Sequence, residues 1–461
     1  MKNATYIMGL SIALVMTSTA VLAQKTPPPP GGTPHDFKLS EKKVAVLPNG
    51  LKSTLVQYGT LPKASVALVI KTGNMHESSS QNGLANFVGK MMKEGTKTMN
   101  FLAISKKAAS MGGEVSISVN TEQTLIQGSV LSEFTPEFIK LISEIAMNPV
   151  FPASEAERIK ADITRDLSVQ RTVPQTLAEE RFNRILFGDH PYGRGIPTDE
   201  QVKGYSASSA KAFHEANFGA RRSTIYVVGR FDEKAAQDAI ASGLAKWRTG
   251  PAVTYPPSAT AYKRDTSIIE RKGAPQSTIV VGLPVKGPTD KEYMAQYVTN
   301  SLLGGSFGSR ITSNIREDKG YTYSPYSSVS NFKGGSYWAE AADVTSEHTI
   351  ESLQEIRKEV IRLQNTPPSK EELMGIQNYE AGIFVLRNTS PFGIISQLGT
   401  LDKYGLPDSY LTNYVKNIYA VTPQQVSQIT RDRIKPENMS LVLVGDRGQI
   451  LEQAKKFNWK F

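Results

Sequence analysis

The chain has 461 residues, 39% of them hydrophobic, which is enough for two or three domains with cores of their own. Its 53 Lys and Arg against 43 Asp and Glu leave a formal charge of +10. The excess is scattered, with no basic run interleaved with aromatics, so the composition does not point to nucleic acid. The absence of cysteine excludes disulfides, thiolate metal ligands and a lipid-modified cysteine, so the cores must hold by packing alone.

Residues 1–23, MKNATYIMGLSIALVMTSTAVLA, combine Lys2, an apolar run and small residues at Val21 and Ala23. That is the layout of a secretory signal peptide cut before Gln24, and it predicts an exported, periplasmic protein. No later stretch approaches the roughly 20 apolar residues of a membrane span. Residues 24–43, containing KTPPPPGGTPHD, are predicted to be an extended, poorly ordered lead-in. From Val44, VAVLPNGLKSTLVQYG reads as two strands joined at the Asn49-Gly50 turn. SVALVIKTG from Ser65 reads as a third, almost wholly apolar strand suited to the middle of a sheet. A helix from Gly83 follows, then one over 101–111 ended by Gly112 and Gly113, then a pair of strands in EVSISVNTEQTLIQGSVL. Two helices broken by Pro149 and Pro152 lead to the buried strand STIYVVG and a helix from Glu233 to Trp247.

Residues 248–267 are polar and proline-bearing and read as a linker. The chain beyond it repeats the first part. STIVVGLPVKG from Ser277 matches SVALVIKTG, NTPPSKEEL from Asn365 matches NPVFPASEAE from Asn148, and LVLVGD from Leu441 matches IYVVGR from Ile225. The order is kept and the separation is about 215 positions each time, which predicts a tandem duplication of an α/β unit, over 44–247 and 268–461, in the α+β class.

The stretch GLANFVGKMMKEGT, Gly83 to Thr96, carries the first chemical signal. In an inverted zinc motif, H-x-x-E-H, two histidines four residues apart share a helical face and a glutamate before the second activates the bound water. Those three places here hold Asn86, Gly89 and Lys90. The surrounding letters resemble the insulinase and pitrilysin family of metallopeptidases, whose motif region reads roughly G-L-A-H-F-L-E-H-M-x-F-K-G-T. Gly83, Leu84, Ala85, Phe87, Met91, Gly95 and Thr96 fall in step with it. Zinc needs lone pairs from imidazole, thiolate or carboxylate, whereas Lys90 offers a cation and Gly89 offers nothing, so the helix reads as metal-free. The plain alternative is an amphipathic helix packed through Leu84, Phe87, Val88 and Met91. The family is built as a tandem of two α+β domains facing one another, which agrees with the repeat.

A second signal spans Ser301 to Val329, SLLGGSFGSRITSNIREDKGYTYSPYSSV. No Gly-Lys-Ser/Thr follows its glycines, so it is not a phosphate loop; the glycines are expected to let a helix start close against the sheet. SRITSNIRED is predicted helical and YTYSPYSSV a strand, with Gly320 as the break. The stretch resembles a line of the family's second domain, L-L-G-G-G-x-x-S-R-L-x-x-x-L-R-E-K-x-G-x-x-Y-S. The resemblance implies that Arg316 and Tyr323 bind the substrate backbone at the active site. A peptide carbonyl attacked by water at a zinc centre develops negative charge, and a guanidinium with a phenol can donate hydrogen bonds to it. Otherwise Arg316 makes a helix-end salt bridge, and Tyr323 with Tyr321 and Tyr326 packs a sheet edge.

Active family members carry a third ligand, a glutamate, on a later helix. Asp166 lies at or next to that place and, without partner ligands, is expected to be a solvated carboxylate. His35, His76, His190, His214 and His348 show no ligand spacing. His76 is expected to be an exposed loop imidazole, and the HPYGR run at His190 resembles a loop common in the family that carries no chemistry. Taken together, the resemblance implies a non-catalytic, exported member of the family with no cofactor of its own. Such a subunit pairs as a heterodimer with a zinc-bearing homologous subunit, acts on peptides that add as a strand to a sheet edge of the partner, and supplies Arg316 and Tyr323 in trans. The alternative is a structural or peptide-binding scaffold subunit without a part in proteolysis, and a third reading is a peptidase with an unrecognised metal site.

Overall fold

The apolar and alternating segments pair into two sheets in a computed structural model that describes residues 37–256 and 262–460. The expected signal peptide, the lead-in up to residue 36 and the linker at 257–261 lie outside the described residues. The first sheet contains β1 (Lys42–Val46), β2 (Lys52–Gln57), β3 (Lys63–Ile70), β4 (Ser116–Val119), β5 (Thr124–Leu131) and β6 (Ser223–Gly229), in the order β1-β2-β6-β3-β5-β4. The second contains β7 (Thr266–Glu270), β8 (Gln276–Val285), β9 (Tyr326–Phe332), β10 (Gly335–Thr345) and β11 (Ser440–Gly445), in the order β7-β11-β8-β10-β9. In each, the last strand returns parallel to an early one, β6 to β2 with Lys52 opposite Thr224 and β11 to β7 with Leu441 opposite Thr266, and every other pairing is antiparallel. Removing β1 therefore leaves the same five-stranded topology twice, and the fold is a tandem of two α+β halves. The returning strands STIYVVG and SLVLVG are buried at every position, as a strand covered on both faces must be.

One face of each sheet packs on helices of its own half. Leu68, Ile126 and Ile225 meet Phe87 and Phe138 in the first core, and Ile279, Trp338 and Leu443 meet Leu303 and Ile356 in the second. The opposite faces are covered crosswise. The helix Pro174–Phe187 of the first half lays Ala178, Phe182 and Leu186 on Val280, Tyr337, Val442 and Val444 of the second sheet. The helix Pro391–Tyr404 of the second half lays Ile394, Ile395 and Leu398 on Val56, Ala67, Val69, Tyr226 and Val228 of the first. Each large side chain so buried is worth about 1.5–3 kcal/mol, so the exchange is a principal bond between the halves.

Three local expectations need correction. Order begins before residue 44: Phe37 packs edge-on to Phe384 with centroids 5.1 Å apart, Leu39 joins the Ile394 cluster, and Lys42 pairs with Asp408. Two apolar side chains and an ion pair outweigh the local proline-rich signal there. The helix from Glu233 stops at Leu244, leaving Trp247 buried in the turn beyond. The second sheet starts at Thr266, inside the predicted linker, because β7 is carried by pairing with β11.

Candidate functional site

The altered motif lies on the helix Leu84–Met92. Gly83 enters it at φ +87°, where a Cβ would stand 2.7 Å from the Tyr205 hydroxyl oxygen, so glycine is required on both counts. The buried helix start is held by Glu77, whose two carboxylate oxygens accept from the Gly83 amide at 2.8 Å and the Ala85 amide at 2.6 Å. Burial raises the Glu77 pKa, and these amides with Asn74 act against that rise. Arg194 of the HPYGR run donates to the Glu77 carbonyl at 2.7 Å. His76, beside Glu77, is half-buried rather than exposed. It packs behind the same turn, Nδ1 accepting from the Gly73 amide at 3.2 Å, and burial lowers its pKa to about 4.

Leu84, Phe87, Val88 and Met91 face the core, while Asn86 and Lys90 face outward into a cleft of about 430 Å3 that Asp166 also lines. Asn86 accepts from Asn74 at 2.6 Å, and Lys90 Nζ stands 3.6 Å from Asp166 Oδ2, with both side chains largely in water. The place of the second histidine and the neighbourhood of the third ligand have thus become a solvated ion pair. Gly89, at the place of the catalytic glutamate, backs onto β4 so closely that a Cβ would lie 2.7 Å from Val119 Cγ2. This arrangement does not fit zinc: it presents an ammonium, an amide and a filled space where three donors are needed. Among the described residues no group of three His, Cys, Asp or Glu is placed to hold a metal, and no helix is long and apolar enough to cross a membrane.

Arg316 and Tyr323 stand elsewhere and do not line that cleft. The helix Tyr293–Asn300 runs into a π-helical turn, Ser301–Gly305, so the paired glycines close a helix rather than open one. Gly304 is pressed against Glu340 and Ser327 of the second sheet, which leaves no room for a side chain. After the short helix Arg310–Thr312 comes a second π-helical turn, Ser313–Asp318, which carries Arg316. Such turns concentrate at functional sites. Gly320 breaks the segment as predicted, but the strand begins only at Tyr326, so Tyr323 lies in the intervening loop at 80% exposure.

The structure brings Arg316 and Tyr323 together. The Arg316 guanidinium carbon lies 4.6 Å from the Tyr323 ring centroid and 4.4 Å from that of Phe307, so two exposed aromatic rings flank it. Contacts of this kind are worth about 0.5–1 kcal/mol each at the surface and restrict the guanidinium without consuming all its donors. Arg316 Nε also pairs with Glu317 at 3.0 Å, so the salt-bridge reading holds beside the stacked one. Tyr321 is set apart, stacked on His348 at 4.2 Å. Phe307 escaped the sequence reading, although its place nine residues before Arg316 in a glycine-rich loop was the available signal.

Two family models match the chain: "Insulinase (Peptidase family M16)" over residues 54–200 and "Peptidase M16 inactive domain" over residues 205–379. An uncharacterized zinc protease of Bacillus subtilis is 22% identical over 417 residues, covering 87% of this chain and 98% of that protein. The crystal structure of a peptidase M16 inactive domain from Pseudomonas fluorescens matches with a TM-score of 0.81 and 24% identity, over 88% of this chain and 98% of that one. The first half of the periplasmic protease PqqL from Escherichia coli matches with a TM-score of 0.74 and 17% identity, over 91% and 95%.

Proposed function

Because this chain belongs to the insulinase family of peptidases, M16, as an inactive member, we propose that it is the metal-free subunit of a two-chain periplasmic zinc peptidase. Its partner is a homologous subunit with an intact zinc motif, and the pair degrades peptides. Arg316 and Tyr323 donate hydrogen bonds to the scissile carbonyl at the partner's metal, where negative charge gathers during attack. The observation that carries this reading is the surface Phe307-Arg316-Tyr323 stack, its arginine held on the π turn Ser313–Asp318 and outside the chain's own altered cleft. A scaffold has no use for a phenol held out in water beside a stacked guanidinium. The likeness to the first half of a periplasmic protease supports both the two-part arrangement and the compartment, as does the signal-peptide layout of residues 1–23.

The test is to mix the purified protein with zinc-bearing homologues from the same source and follow cleavage of a quenched peptide. Activity should appear only on mixing, and Arg316→Ala or Tyr323→Phe should lower kcat by about 10²–10³ while the complex still forms, the usual effect of removing one such donor. A stable complex whose activity ignores both substitutions would leave this chain as a scaffold.

A further inference from the structure

The helix Lys370–Arg387, KEELMGIQNYEAGIFVLR, is covered on one side only. Leu373, Ile376, Gln377, Ala381 and Phe384 face inward, whereas Met374, Tyr379, Val385 and Leu386 are 45–66% exposed. From Leu373 to Leu386 the one charged residue is Glu380, and it is buried, accepting from the Tyr297 hydroxyl at 2.6 Å and from the Ser301 hydroxyl. About four turns of exposed helix therefore carry no charge. The helix in the same place of the first half, Ala153–Gln170, is the opposite, with Glu157, Arg158, Arg165 and Asp166 at its exposed positions. An exposed apolar patch of this kind marks a contact surface.

Two glycines on the same face are not accounted for by the chain's own packing. A Cβ at Gly375 or at Gly382 would meet nothing within 4 Å, so the fold has room for a side chain at both. Each costs about 1 kcal/mol of helix stability relative to alanine. Gly375, Tyr379, Gly382 and Leu386 follow at spacings of four, three and four, which aligns them in one seam of alternating hollows and large side chains. Turning the helix end for end about a point midway between Glu380 and Ala381 brings Tyr379 to the place of Gly382 and Leu386 to the place of Gly375. A second copy laid antiparallel thus sets each large side chain over a glycine of the other. The seam is its own complement, which is what a two-fold interface between identical chains requires. The four apolar side chains expose about 400 Å2 in each copy, so the pair removes about 800 Å2 before the glycines and the polar rim are counted, at the low end of specific interfaces. That area supports a reversible dimer rather than an obligate one.

We infer that the outward face of the helix Lys370–Arg387 is a self-association surface, on which a second copy of this chain docks antiparallel with Tyr379 and Leu386 seated over Gly382 and Gly375. The inference concerns this chain alone and does not depend on a zinc-bearing partner.

Sedimentation equilibrium of the full chain from about 1 to 300 micromolar tests it, the range in which a small interface dissociates. The average mass should climb toward twice that of the monomer. Gly382→Leu and Leu386→Glu should each weaken the dimer about tenfold or more. Gly382→Leu should at the same time raise the Tm of the dilute monomer, since the open position accepts a better helix former, and this separates a lost contact from a damaged fold. The exchange Tyr379→Gly with Gly382→Tyr should restore association, because the two-fold sets the new tyrosine over the new glycine. A monomer at every concentration, a dimer indifferent to both single substitutions, or an exchange variant that stays monomeric would overturn the inference. So would a chain that dimerises only after residues 24–36 are removed, or that is monomeric alone and loses a complex with a zinc-bearing homologue in Leu386→Glu, which would give the face to that segment or to that subunit.

Discussion

Glu340 gives the sharpest prediction about stability. It lies in β10 opposite Ser327 and Val281, fully buried on the face that also carries Trp338 and Ala342. Neither carboxylate oxygen has a hydrogen-bond partner. Burial raises its pKa well above the usual carboxylate value of 4.5, and the nearby Tyr326 amide offsets only part of the rise. The folded protein therefore keeps a proton that the unfolded chain releases. Stability tied to this group is fully present below pH 4.5 and declines as the pH rises, at up to about 1.4 kcal/mol per pH unit, until the folded-state pKa is passed. The wider the gap between the folded and unfolded values, the further up the pH scale this loss continues. Glu340→Gln keeps the shape and removes the proton linkage. Denaturant midpoints of wild type and variant should draw apart as the pH rises above 4.5, in favour of the variant, at up to about 1.4 kcal/mol per pH unit. Parallel curves for the two proteins would show that Glu340 ionises in the folded state and would refute the argument.

Gly89→Glu should lower stability by about 1–3 kcal/mol by forcing the helix off β4, and Asn86→His, Gly89→Glu and Lys90→His together should yield a destabilised protein that holds zinc no better than wild type in equilibrium dialysis. Glu122→Ala strips Lys403 of its counter-charge and cuts one hydrogen bond between the halves, from the Lys333 amide, and one within the first half, from the Tyr192 hydroxyl, so the unfolding midpoint should fall by the equivalent of about 3–5 kcal/mol. His76 and His214, whose pKa values burial lowers to about 4, should show no titration between pH 5 and 8 by NMR. Their stabilising effect is present above pH 6.5 and fades as the pH falls toward 4, so an early acid transition should move down in His214→Asn.

The repeated halves were legible because their central strands are written in unbroken apolar letters, as in SVALVIKTG and STIYVVG, and because Asn49-Gly50 marks a hairpin. The loss of zinc ligands could be read from three letters, since charge and lone pairs decide it. The exposure of Tyr323 could not, because a tyrosine before a strand is more often packed than presented. Nor did the letters disclose what the helices Pro174–Phe187 and Pro391–Tyr404 cover: Phe182 and Leu186 show a helical spacing, but the strands that receive them lie about a hundred to two hundred and sixty positions further on. Glu340 was within reach, since period-two alternation in GSYWAEAADVT puts it on the face of Trp338, where a carboxylate is out of place. The π turn that carries Arg316 leaves no comparable trace in composition.

The crossed helices bear on how such a protein can be made or taken apart. If each sheet receives its second cover from the other's sequence, neither half is an autonomous folding unit, and each expressed alone would present a bare apolar surface and aggregate. Cutting the backbone between the halves, by contrast, should leave a soluble pair that unfolds in a single step, and the separated pieces should regain that state only when refolded together. The same geometry suggests how one gene could have become two copies in tandem. An ancestor half the size could have dimerised by trading this helix with its twin, and fusion would then have turned a meeting of two molecules into a closure within one.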